Sequence, residues 1–278
     1  MLNIMRLTLK EIVNKRIIHI GILLTIVYLL VYAAGLSNVA REFNLHDNQI
    51  LLKQQIGYQL LTLGWYMSTF LAGTLAILAG TGSIAHEIET GTILSLASKP
   101  IRRCSIVLGK FWAYAAITAL YSALLAGAVI VLSRHYFQLI IRPQAAATGI
   151  FLFMLFPVIL VAVTHLFSSL LSSLTTGVCS FMLFTVAIIG GFIEQIGAAL
   201  NNNALVNTGV VTSLLIPCDS VYRMAVARTA GSVGSGFIYN FGPFGVSSQP
   251  SSWMLVYTLV YVAIMLLLAI YFFTRRDF

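Results

Sequence analysis

Charge is what this chain has least of. Of its 278 residues, 16 are Lys or Arg and 8 are Asp or Glu, so only 9% are charged, and the mean hydropathy is +0.94. A soluble domain of this length cannot hide so much apolar surface from water, so lipid must be its solvent. Cysteine is scarce too. Cys104, Cys179 and Cys218 lie far apart, with neither metal-ligand spacing nor a disulfide framework. His19, His46, His86, His135 and His165 are equally scattered, which argues against a metal centre built by this chain alone.

Catalytic signatures are missing as well. A phosphate-binding loop needs G-x-x-x-x-G-K-[ST], whose backbone N–H groups cradle phosphates. The nearest approach is Gly109-Lys110, but Cys104 stands at the first glycine position and Phe111 replaces the hydroxyl residue. There is no G-x-S-x-G elbow, and His86-Glu87 is followed at position 90 by Thr90 rather than the second His of a zinc helix. The expectation is therefore a non-enzymatic chain with no catalytic, cofactor-binding or metal residues of its own. The net charge of +8 needs no nucleic-acid partner, because basic ends resting on anionic headgroups of membrane lipid account for it.

What the chain does have is six long apolar stretches, about 17–36, 59–84, 111–132, 149–171, 176–196 and 253–273. Each approaches or exceeds the ~20 residues a helix needs to cross ~30 Å of hydrocarbon. The fold class is all-α, a polytopic membrane protein whose residues 1–278 form a single domain. Arg6, Lys10, Lys15 and Arg16, then Lys99, Arg102, Arg103 and Lys110, then Arg275 and Arg276 fall on one side. Arg41, Lys53, Arg134, Arg142, Arg223 and Arg228 fall on the other, spread over more loop. The denser side is expected to be cytoplasmic, with both termini, and the multi-pass protein to lie in the cytoplasmic membrane. The first apolar stretch exceeds the 7–15 residues of a signal-peptide core, so a retained span is expected.

Residues 1–16 alternate apolar and basic positions, as an interfacial helix does. Residues 37–58 read as an outer loop. Span two carries Gly64, Ser68, Ala72, Gly73, Ala76 and Gly80, small residues that suit a helix inside the bundle. Pro157 is expected to kink span four or loosen its hydrogen-bond ladder. Two ionisable groups sit within spans: Glu194 near the outer end of span five, expected to reach the headgroups, and His165 in the inner half of span four. Between spans five and six, the 13-residue apolar run 204–216 is too short to cross. Pro217 is placed to begin a short helix through Ala230, with Asp219 and Arg223 an i,i+4 pair. A helical or re-entrant outer segment is the expectation.

The segment from Ala85 to Arg103 is the most informative loop. Its first half is expected to form a helix over about 85–98, with Ile84, Ile88 and Ser95 near one face and Glu87 and Glu89 splayed outside it. Pro100 would end that helix, and Gly91 would admit close backbone approach. An acidic helix projecting from a membrane bundle is shaped to dock on another protein.

Glu87, Glu89, Gly91, Thr92, Pro100, Ile101, Arg103, Gly109 and Lys110 match a segment that reads roughly E-x-E-x-G-T-(apolar)-P-(I/V)-x-R and then G-K. The chain thereby resembles the type-2 ATP-binding-cassette (ABC) exporter permeases, in which this segment joins spans two and three. The stretch Pro217-x-Asp219-x-x-Tyr222-Arg223 looks like one found in a subgroup that includes the permease of the nitrous-oxide-reductase maturation system. The resemblance implies a six-span permease that exports a cargo by coupling to a separate ATPase subunit. It implies two ATPase copies, a second permease chain, identical or related, and ATP and Mg on the partner. Glu87, Ile88, Glu89, Gly91, Thr92, Leu96, Pro100 and Arg103 would be the coupling residues, and Pro217, Asp219, Tyr222 and Arg223 an outer motif. Spans with few charges suggest an apolar or amphipathic cargo. An ion-gradient-driven secondary transporter or channel is the alternative. It should show an internal repeat or paired charges at the midplane, and neither is visible in the sequence.

Overall fold

A computed structural model describes residues 2–44, 50–92, 103–230 and 250–275. All regular structure among them is helical. The helices are α1 (Leu2–Val13), α2 (Arg16–Asn44), α3 (Ile50–Thr81), α4 (Ala85–Glu89) and α5 (Arg103–Phe137). They continue as α6 (Pro143–Leu170), α7 (Ser173–Ala199), α8 (Asn203–Leu215), α9 (Cys218–Ala230) and α10 (Trp253–Arg275). Six of them, α2, α3, α5, α6, α7 and α10, are long and apolar enough to cross a membrane. The protein is thus an all-α polytopic membrane protein.

Two expected loops are shorter than hydropathy suggested. Helix α2 runs on to Asn44 and α3 begins at Ile50, so most of the expected outer loop 37–58 is helix. Arg41, Glu42, Lys53 and the glutamines after it interrupt the apolar run but not the helical backbone. Between α6 and α7 only Leu171 and Ser172 intervene, which makes a tight hairpin. Helix α6 continues unbroken through Pro157.

Helix α6 lies at the centre, packed on α3, α5, α9 and α10. One apolar cluster joins Ala72, Ala76, Phe111, Phe156, Leu160 and Phe184. A second, nearer the α8–α9 end, joins Trp65, Ala126, Phe153, Tyr222 and Met224. Within lipid, association depends on close packing and hydrogen bonds rather than on exclusion of water. Gly149 shows the packing: an added Cβ there would stand 1.9 Å from Thr229 Oγ1 and 3.0 Å from the Trp65 ring. Trp65 Nε1–H donates to Ala126 O at 3.1 Å, and Tyr32 donates to Leu60 O at 3.0 Å. Helix α3 does sit inside the bundle, as its small residues implied: Ser68, Ala72 and Ala76 are fully buried.

Helix α1 packs against α5 through Ile4, Thr8 and Ile12, leaving Arg6, Leu7 and Lys10 exposed. That amphipathic division is the one expected of an interfacial helix.

Candidate functional site

Two polar clusters stand at opposite ends of the bundle. At the α4 end, the helix lasts only five residues. It ends where Thr90 N–H donates to His86 O at 3.0 Å and Gly91 turns into the left-handed region, φ 70°. The expected continuous helix over 85–98 is therefore broken after Glu89, with Gly91 as the turn that ends α4, and 93–98 lie outside the described residues. Thr92 Oγ1 closes the turn by donating to Glu87 O at 3.3 Å. Leu96 and Pro100 lie outside the described residues.

Of the two glutamates expected outside the apolar face, Glu89 is exposed and Glu87 turns inward. Glu87 pairs with Lys110 of α5, whose ammonium is almost completely buried and also donates to Ser83 O at 2.5 Å. A buried ammonium needs an anionic partner, and the one at hand is drawn inward. Glu89 accepts from Ser173 N–H at 2.7 Å and from Ser173 Oγ at 2.8 Å. It thus caps the first turn of α7 from another helix, where the helix dipole favours a negative charge. Those hydrogen bonds from the Ser173 backbone and hydroxyl hold the Glu89 carboxyl below its ordinary range. Ser168 of α6 completes the mount: its Oγ accepts from Ile84 N–H at 3.1 Å and Ala85 N–H at 2.8 Å, and donates to Thr81 O at 3.2 Å. Ile88 packs on the small cluster of Ile84, Val107, Ala269 and Phe273. Arg103, at the start of α5, donates from Nη1 to Thr274 O at 3.0 Å. Helix α4 is thereby fixed to α5, α6 and α7 at once.

Nearby, His165 of α6 is fully buried, with Nδ1 2.9 Å from Val161 O. A carbonyl can only accept, so Nδ1 carries the proton. Nε2 has no hydrogen-bond partner among the described residues, and the ring sits against Phe111 and Tyr114.

The second cluster lies at the far end. Helix α8 leaves α7 after a turn at Asn201 and is capped by Asn202, whose side chain accepts from Ala204 N–H at 3.0 Å. At Ile216 and Pro217 the chain bends by 106° into α9. The helical reading of this segment holds for α8 and α9. Arg223 of α9 is 1% exposed and forms a two-pronged pair with Glu194, 2.6 and 2.7 Å, plus a 2.8 Å contact from Nε to Asp219. Ser213 and Ser220 add longer contacts at 3.4 and 3.5 Å. Tyr222 donates to Thr62 O at 3.1 Å, which ties α9 to α3.

The i,i+4 pair of Asp219 and Arg223 is present as expected. Glu194 corrects the sequence reading: it turns inward rather than to the headgroups and is 4% exposed. From Ser173 to Glu194 along α7 is ~31 Å at ~1.5 Å per residue, so the cluster lies at the edge of the hydrocarbon, not its middle. No midplane charge pair results. The residues that hold the cluster open are glycines that sequence reasoning passed over. An added Cβ would stand 1.8 Å from Thr212 Oγ1 at Gly190 and 2.2 Å from the Asp219 carboxyl at Gly191. Adjacent glycines in a span rich in larger residues were the available signal.

Among the described residues, no group of three or more His, Cys, Asp or Glu is placed to hold a metal ion. No curated protein matches the chain. The family model described as ABC-2 family transporter protein matches residues 2–278.

Proposed function

This chain belongs to the ABC-2 transporter family and is a transmembrane subunit of an ABC transporter; from that premise we propose that it exports its cargo by coupling to a separate ATPase through α4 and the turn that follows. The mount of α4 carries this reading. Pairing of Glu87 with Lys110 of α5, of the α4 backbone with Ser168 of α6, and of Glu89 with Ser173 of α7 leaves the short helix no freedom to move alone. A push on α4 is then a push on three spans, which is what passing a displacement from a closing ATPase pair requires. Leu96 and Pro100 continue the contact surface by family resemblance. ATP and Mg reside on the partner.

Both termini and α4 face the cytoplasm, and the membrane is the cytoplasmic one, by the density of Lys and Arg on that side. The outer motif Pro217-x-Asp219-x-x-Tyr222-Arg223 supports a place in the subgroup with the nitrous-oxide-reductase maturation permease. Cargo crosses where two permease chains meet, and the scarcity of charge in the spans favours an apolar or amphipathic molecule.

A benzoylphenylalanine crosslinker in place of Thr92 tests the coupling. The expected product joins this chain to one that carries a phosphate-binding loop and hydrolyses ATP. Gradient-driven transport by the purified chain without ATP would overturn the reading in favour of a secondary transporter.

A further inference from the structure

The inner half of α2 stands away from the bundle. Ile20, Leu24 and, across from them, Leu78 of α3 are each about half exposed. In this half the two helices come close at Gly21, where an added Cβ would stand 2.5 Å from Leu75 Cδ1. Around that approach runs a groove of about 230 Å³, lined by Ile17, Ile20 and Leu24 of α2, Thr74 and Leu78 of α3, and Tyr121 of α5.

Its lining determines what fills it. The two side-chain hydroxyls are already engaged, Thr74 with Phe70 O at 2.8 Å and Tyr121 with Thr25 Oγ1 at 2.5 Å. With those protons committed, the groove offers a ligand no side-chain donor, and the rest of the lining named above is aliphatic. Hydrocarbon fits. From Ile17 to Thr25 is ~12 Å along the helix, close to half of the ~30 Å apolar thickness. The Thr25–Tyr121 hydrogen bond closes the deep end, so the groove has the depth of one leaflet and opens at the membrane surface beside Arg16.

Arg16 stands one helical turn before Ile20 on the same face, and it is exposed with no ion pair among the described residues. Its neighbour Lys15 is engaged, 2.9 Å from Glu11 and 3.1 Å from Tyr114 Oη. Exposed Arg6 and Lys10 on α1 add to the positive field at this surface. We infer that the α2–α3–α5 groove is a binding site for an anionic phospholipid, one acyl chain lying against Gly21 and Leu75 and the phosphate held at Arg16. The lipid acts as a removable wedge between α2 and the bundle, and it belongs to whichever leaflet meets Arg16.

Native mass spectrometry of the complex released from nanodiscs of equal phosphatidylglycerol and phosphatidylcholine, with matched acyl chains, tests this. The wild type should retain one phosphatidylglycerol per chain at collision energies that remove phosphatidylcholine. Arg16→Gln should reduce that preference about 5-fold while the groove still takes a chain, because one basic residue at a membrane surface is worth about that factor. Leu78→Trp, which fills the groove from an exposed position, should abolish retention of both lipids. Ile20→Trp does the same from the α2 side. Leu124→Trp, on a lipid-facing part of α5 outside the groove, should leave retention unchanged. Equal retention of the two lipids by the wild type would overturn the inference. So would full retention in both groove-filling variants, which leaves the groove to the second permease chain.

Discussion

Arg223 is the residue on which the far end of the molecule depends. It compensates two carboxylates, buried Glu194 and mostly buried Asp219, at 2.6–2.8 Å. Removing one partner of such a pair leaves a buried charge without compensation, at a cost of ~3–5 kcal/mol. Arg223→Met should therefore lower the thermal midpoint of the solubilised complex sharply. Glu194→Leu added to it should recover part of the loss, since one stranded carboxylate disappears with it. If the two changes simply add, the three groups are not a coupled cluster. The sequence offered half of this arrangement. Asp219 and Arg223 are four apart on a short helix and their pairing follows from spacing alone, whereas Glu194 belongs to another helix and came within reach only through the bend at Pro217. A carboxylate near a span's end is ordinarily drawn to water; here an arginine with five donors stood closer.

Helix α8 is 13 residues long, ~20 Å, and cannot cross the membrane, so it must fold back on α7. Gly190, Gly197 and Gly209 make that contact possible. Gly190→Ala drives a Cβ to 1.8 Å from Thr212 Oγ1 and should destabilise by ~1–3 kcal/mol through overpacking. Gly35→Ala, in a helix with no atom within 4 Å of the new Cβ, should be neutral or slightly stabilising, because alanine is the better helix former. Thermal midpoints by fluorescence-detected size exclusion compare the two, and equal shifts would remove the close-packing account of α8. Elements of this size were only partly legible. Hydropathy located the spans because it measures the length of chain that lipid tolerates. It missed where α2 and α3 end, since a helix continues past the hydrocarbon into polar sequence. It also overestimated α4, where Gly91 in the left-handed region stops a run whose residues would otherwise propagate a helix.

At the scale of the whole molecule, orientation and assembly are linked. If α4 faces the cytoplasm, a cysteine replacing exposed Thr92 should be labelled only from inside and one replacing exposed Asn201 only from outside. Labelling of position 201 from the cytoplasm would reverse the topology and remove α4 from the reach of any ATPase. Given that topology, the chain presents the fixed helix α4, proposed above to meet an ATPase, and six spans, yet the exposed faces of α3 and α7 remain apolar, with Phe70, Met182 and Val186 uncovered. In a monomer these face lipid; in the proposed pair they would enclose a route between chains. Two mounts then require two ATPases. The active unit should be two permease and two ATPase chains about a two-fold or pseudo-two-fold axis, and native mass spectrometry of the gently solubilised complex should return that stoichiometry. The same measurement separates the pair from its alternative: a monomer that moves cargo without ATP has no use for a helix fixed to three spans by Glu87, Ser168 and Glu89.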